Sequence, residues 1–330
     1  MWWNRSWILT IAVLLLVACK PSGPDMQYDV VICTPIPSPR ASAVSFVVGD
    51  YAYVFGGRDI EGRYLNDLWR YDIANDTWVS MGTTPLQSRV NATACVYDDI
   101  AYIGLGFNGE YGISSSYFKD WWSYDPDNGI WTQLKHYPDS ATAKAICMVG
   151  EGELYVGYGF CWTYERNMYR YDVTTGCWSF IDVHLDRHAL TFPIRSFGGV
   201  GTTCQGRHFA GTGFRANSLN WWGEFFSHGE WRKCKDVPGD KRTLAACTAT
   251  HNFVYVIGGM HVGGVNTDGR VLSDIQQYNP QSDTWCHVAN LPDGGRMNHV
   301  AFCKGNRIFV GLGENENIDV CGDLYCIYEK

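Results

Sequence analysis

Apolar and aromatic residues along this chain come in short bursts, not in long stripes. One burst recurs six times: Tyr53-Val54-Phe55-Gly56-Gly57, Tyr102-Ile103-Gly104-Leu105-Gly106, Tyr155-Val156-Gly157-Tyr158-Gly159, Phe209-Ala210-Gly211-Thr212-Gly213, Tyr255-Val256-Ile257-Gly258-Gly259 and Phe309-Val310-Gly311-Leu312-Gly313. Each is too short for an amphipathic helix and ends in glycine, so it reads as a buried strand closed by a turn. A second burst follows, as in Asp67-Leu68-Trp69-Arg70-Tyr71-Asp72 and Asp120-Trp121-Trp122-Ser123-Tyr124-Asp125, with degenerate copies at 220–225 and 323–328. A third ends on tryptophan at Trp78, Trp131, Trp178, Trp231 and Trp285, with spacings of 53, 47, 53 and 54. The chain is therefore predicted to be a strand repeat with a period of about 50 residues.

The polar gaps alternate in length. Tiny turns, such as Gly49-Asp50, Asp98-Asp99 and Gln205-Gly206, lead into the glycine-ended strands, and longer connections leave them at 58–66, 107–119, 160–166, 214–219, 260–273 and 314–322. Strand parity puts the long connections at one end of every unit, and that rim is the expected place for a site. Composition agrees with an all-β chain: 36 Gly and 14 Trp among 330 residues, 46% hydrophobic and only 18% charged. A formal net charge of −8 argues against neutralising nucleic-acid phosphates, so no nucleic-acid partner is expected.

The glycine pair, the Tyr and the Trp in register resemble the kelch repeat, over about residues 28–330. The resemblance implies an all-β, six-bladed kelch β-propeller with one four-stranded sheet per blade. Six inner segments but five terminal Trp residues are visible, and Tyr28–Cys33 lies one period before Trp78. This N-terminal strand is expected to complete the last blade beside 324–328 and so remove two free sheet edges. The glycines are expected to let inner strands crowd near the axis, and the Trp and Tyr to fill space between sheets.

Residues 1–18 combine Arg5 with an apolar run over 8–17, too short to span a bilayer but suited to a signal peptide. Leu16-Val17-Ala18-Cys19 resembles the bacterial lipobox, which implies cleavage after Ala18 and acylation of Cys19. Residues 19–27 then form a lipidated tether, and the membrane becomes a partner through the lipid on Cys19. Lys20, where an Asp would favour inner-membrane retention in that family, leans the expected address to the bacterial outer membrane.

Arginine begins the first strand in five of six blades, at Arg40, Arg89, Arg195, Arg242 and Arg296; Arg195 is one position out of register, and blade 3 has Lys144 three residues later. Two readings stay open. Either these cations ring the pore mouth as a site for a carboxylate or acidic sugar, or they are repeat punctuation paired to acids and carbonyls. Glu61, Glu110, Glu165, Glu314 and Glu316 on the same rim could neutralise them. Tyr64, Tyr111, Tyr117, Trp162 and Tyr164 could stack on sugar rings or simply pack the loops. Of thirteen Cys, Cys95, Cys147, Cys204, Cys247 and Cys303 fall on first strands and read as small core residues, whereas Cys33 could staple the closing blade to Cys326 or Cys321. His261 and His299 lie near the rim without a clear partner. No spaced Cys/His set, phosphate loop, dinucleotide fingerprint or nucleophile elbow stands out, so no metal or cofactor is expected.

Among kelch-containing enzymes, the chain resembles galactose oxidase only at the level of repeats, and no set of two Tyr and two His maps onto its copper site. Similarity to the exported, six-bladed sialic-acid mutarotases is closer, although it carries over no catalytic position. The leading expectation is a lipid-anchored recognition protein that binds a protein or glycan partner on the long-loop rim. A sugar mutarotase and a structural subunit of an outer-membrane assembly are the alternatives.

Overall fold

The computed structural model describes residues 28–329 apart from 110–112, 162, 165–166, 186–195, 216 and 264–267. Six antiparallel sheets follow one another along the chain, each running from an inner strand at the axis to an outer strand at the perimeter. Blade 1 orders Val44–Val48, Tyr51–Phe55, Asp67–Asp72 and Thr77–Thr83 from inside out. The inner strands of blades 2 to 6 are Thr93–Tyr97, Ile146–Val149, Val200–Cys204, Ala246–Ala249 and Val300–Lys304. Each inner strand touches the next, and the last touches the first, so the ring closes.

Closure depends on the leading strand, as its position in the repeat predicts. Tyr28–Cys33 lies antiparallel to Leu324–Glu329, from Tyr28 opposite Glu329 to Cys33 opposite Leu324, as the outer strand of blade 6. Blade 4 departs from the four-strand pattern: His184–Leu185 adds a fifth strand, parallel to Glu230–Lys233. Three long connections also carry two-residue hairpins of their own, such as Phe160–Cys161 with Thr163–Tyr164.

The tiny turns form because their residues accept left-handed backbone. Asp98 and Asp99 both have positive φ, 51° and 57°, the geometry that a two-residue hairpin needs to match strand twist. The glycines have a different cause from the crowding at the axis expected above. A Cβ on Gly104 would lie 2.2 Å from the Asp120 carbonyl, so the second strand presses on the third. Gly106 has φ +103° and abuts the Val90 carbonyl, in a conformation that L side chains rarely adopt.

The Tyr and Trp of the repeat form a clasp between blades. Tyr71 packs on Trp78 with ring centroids 4.8 Å apart, and Tyr124–Trp131, Tyr171–Trp178 and Tyr278–Trp285 repeat the contact. Trp78 Nε1 donates to the Thr34 carbonyl, Trp178 to Lys135 and Trp285 to Lys235, each at 2.9 Å. Asp76 completes the motif: Oδ1 accepts from Tyr71 Oη at 2.6 Å and from Thr34 N at 2.8 Å, and Asp283 does the same for Tyr278 and Lys235 N. The core lies between blades, as in the cluster of Phe46, Tyr53, Phe55, Ile103 and Tyr124 that joins blades 1 and 2.

All twelve described cysteines are free thiols. Cys95 and Cys204 are buried between sheets, and Cys33 and Cys326 share one buried cluster with Tyr71. Along the axis runs a channel of about 360 Å³, lined by all six inner strands, with Cys147, Cys247 and Cys303 among its walls.

Candidate functional site

The rim arginines take up one repeated geometry. Arg40 grips Asp67 with two hydrogen bonds of 2.7 and 2.9 Å and also donates to the Gly56 carbonyl at 3.1 Å. Arg89 does the same with Asp120, Arg242 with Asp274 and Arg296 with Asp323, and each also donates to the carbonyl sixteen residues on. All four guanidinium groups are buried. Burial alone would raise Asp67 and Asp274, but the hydrogen bonds and charges of Arg40 and Arg242 outweigh it and hold both carboxyls below their ordinary range. These residues latch the first strand of a blade to its third beneath the loops. They do not converge on the pore mouth.

Among the described residues, blades 3 and 4 show no such latch. Ser196 takes the register position in blade 4, with its hydroxyl donating to the Thr212 carbonyl sixteen residues on. Arg195, the residue before it, lies outside the described residues. In blade 3 the position belongs to Thr142, whose carbonyl accepts from Gly106 N as Arg89 accepts from Gly57 N.

Two residues beyond the latch position, each blade puts one residue on the axis in left-handed conformation: Ser42, Asn91, Lys144, Gly198, Leu244 and Asn298, with φ between 53° and 65°. Backbone N–H groups link five of the six neighbouring pairs, all but Lys144 with Gly198. Ser42 donates to the Asn298 carbonyl at 2.8 Å, Asn91 to Ser42, Lys144 to Asn91, Leu244 to Gly198 and Asn298 to Leu244. Left-handed backbone at non-glycine residues is strained, and here these neighbour-to-neighbour bonds hold it.

These residues frame a pocket of about 150 Å³ at the long-loop end of the axis, lined by Ser42, Asn91, Lys144, Asn298 and His299 among others. Lys144 Nζ donates to Asn298 Oδ1 at 2.7 Å, and Asn298 Nδ2 donates to Glu314 Oε2 at 2.7 Å. Arg58, from the long loop of blade 1, holds the other Glu314 oxygen. One connected chain thus runs Arg58, Glu314, Asn298, Lys144 across three blades. Burial lowers Lys144 to about 8, with Glu314 pulling the other way. His299 is buried, and neither ring nitrogen makes a hydrogen bond. Burial, then Arg296 and Lys144, push it down to about 3, while the Ile257 carbonyl, without hydrogen-bond geometry, pulls the other way. Asn91 Oδ1 is likewise buried and unbonded. Buried polar atoms without partners are costly, and Asn91 and His299 keep theirs in the wall of a pocket that also holds the Lys144 cation.

The remaining rim residues separate into packing and pairing. Tyr117 is buried against Phe107 and Phe160, and Tyr64 packs on Phe107, so both serve the loops. Tyr164 pairs its backbone with Phe160, and Tyr111, Trp162, Glu110 and Glu165 lie outside the described residues. Glu61 pairs with Arg63, and Glu316 accepts from Gly295 N. The site residues that sequence reasoning did not single out are Arg58, Asn91 and Asn298. For Asn91 and Asn298 the signal was a polar residue two positions after the latch, present in four of the six blades; Arg58 had none. Among the described residues, no group of three or more His, Cys, Asp or Glu is placed to hold a metal ion.

Residues 25–195 match the KLHDC2/KLHL20/DRC7 Kelch-repeats domain, and residues 241–292 match the Kelch motif. A stretch of 91 residues is 31% identical to N-acetylneuraminate epimerase of Shigella sonnei and 30% identical to that of Escherichia coli K12. It covers 27% of this chain and 24% of either enzyme, so the chain spans about a quarter of the length of the curated relatives it matches. The solved structure of YjhT superposes with a TM-score of 0.72 over 89% of this chain and 96% of that one, at 16% identity, which is a likeness of fold. A single kelch model spans just over half the sequence, and the Tyr–Trp clasp repeats around a closed six-bladed ring: this chain belongs to the kelch-repeat domain family.

Proposed function

We propose that the axial pocket on the long-loop rim recognises a small acidic sugar. The observation that carries this reading is Lys144, a cation on the axis in a pocket whose lining includes Ser42, Asn91 and Asn298. An ammonium in a partly desolvated pocket attracts a carboxylate far more strongly than one in water, and the side-chain amides and imidazole offer partners for hydroxyl groups. Saturation-transfer NMR with acidic and neutral monosaccharides tests it. Signal confined to the acidic members is the expected result, and equal signal from both or from neither refutes it.

A second reading has one specific observation in its favour, the N-acetylneuraminate epimerase stretch. Exchange of sugar anomers needs a proton delivered to the ring oxygen and one removed from the anomeric hydroxyl. Lys144, which lines the pocket, is placed to supply the acid of that pair. Exchange NMR with N-acetylneuraminate measures it directly, and an anomer-exchange rate equal to that of buffer removes the enzyme reading while leaving recognition standing. The apolar run before Cys19 supports an acylated tether that would hold this site at the bacterial outer membrane; an unmodified terminus in the intact mass would remove the anchor.

A further inference from the structure

We infer that Lys144 is an imine-forming residue: the axial pocket captures an aldehyde or ketone, such as the ring-opened form of a sugar, as a reversible covalent adduct on its Nζ. The inference rests on the pocket being a ligand site, and it adds a covalent step to that reading.

The geometry has three parts. Lys144 lines both the 150 Å³ pocket and a second, much smaller void shared with Tyr158, Ser196 and Thr212, so it borders space that packing leaves unfilled. Its nitrogen is fixed from one side, by the 2.7 Å hydrogen bond to Asn298 Oδ1, with the Phe197 ring 5.8 Å away as an apolar wall. Its backbone takes the left-handed conformation found at this position in every blade, with its N–H donated to the Asn91 carbonyl at 2.9 Å. The chemistry agrees. With its acidity near 8, Lys144 holds roughly 300-fold more free amine at pH 7 than a lysine at 10.5. Desolvated lysines are the ones that serve as Schiff-base nucleophiles.

The step balances within the pocket. The amine lone pair attacks the carbonyl carbon, and the C=O π pair moves to oxygen. The proton that attack leaves on nitrogen passes to the new alkoxide oxygen, giving a neutral carbinolamine. Loss of water then leaves C=N, so amine and carbonyl become imine and water, with no oxidant or reductant involved.

The test uses the full chain, pyruvate as the carbonyl probe and cyanoborohydride to reduce any imine to a stable secondary amine, followed by peptide mass mapping. The expected result is labelling of Lys144 at least about tenfold above every other lysine, as its larger free-amine fraction requires, and loss of that adduct alone in Lys144→Arg. No adduct, or adducts spread evenly over the exposed lysines, overturns the inference, and the wild-type map decides this even if the variant fails to fold. A parallel calorimetric titration with N-acetylneuraminate separates the two claims. Saturable binding without an adduct sinks the imine and leaves the ligand site, whereas neither binding nor adduct sinks both.

Discussion

At the scale of residues, a cationic side chain does opposite work depending on what closes around it. The arginine pattern was visible in the sequence, but its partners were not: Asp67, Asp120, Asp274 and Asp323 lie about thirty residues away on the third strand, and only the folded blade brings them close. Asp120→Ala leaves the Arg89 guanidinium buried and unpaired, and urea denaturation is expected to show a loss of about 3–5 kcal/mol, whereas replacing both partners by Met and Leu costs far less. Lys144 is the reverse case, a charge kept where it costs stability. Its acidity is about 8 folded against 10.5 unfolded, so between these values the unfolded chain holds a proton that the folded chain has released. The stability of the wild type is therefore expected to rise from pH 8 to 10.5 relative to Lys144→Met, and the variant to melt higher at pH 7 while losing its ligand. His299 acts at the acid end. It stays neutral when folded down to about 3, so the unfolded chain gains a proton as pH drops below 6.5 and stability falls until about 3. Melting curves of wild type and His299→Leu from pH 7 to 4 should diverge; parallel curves would contradict the buried neutral imidazole.

At the scale of elements, what could be read in advance follows from size. A five-residue burst repeated six times announces a blade, and the terminal Trp announces its outer strand. Pairs as short as His184–Leu185 or Phe214–Arg215 have no periodicity to see, so the fifth strand of blade 4 and the rim hairpins went unread. The function of the terminal Trp was also only half legible. Space-filling was expected, but the Nε1 bond to the preceding blade is a long-range fact. Trp178→Phe keeps the ring packed on Tyr171 and removes the bond to Lys135 O. Its expected cost is about 0.5–1.5 kcal/mol by chemical denaturation, the ordinary net worth of one hydrogen bond. A cost near zero would mean that the aromatic plate alone carries the clasp.

At the scale of the whole molecule, the ring makes the pocket. Arg58, Lys144 and Asn298 come from blades 1, 3 and 6, far apart in sequence, and meet because six similar sheets turn back on themselves. No local pattern encodes that meeting, which is why the axis was the least legible part of the site. Closure is correspondingly global. Deleting residues 28–33 strips blade 6 of its outer strand, and the expected outcome is loss of a single cooperative thermal transition together with loss of the axial pocket. An unchanged melt would mean that the ring closes without its leading strand. The most direct test of the account is a calorimetric titration of N-acetylneuraminate into the full chain and into Lys144→Met at pH 7. Saturable one-site binding that disappears in the variant, with the fold intact by circular dichroism, is the result it predicts; binding of equal strength in both proteins would contradict it.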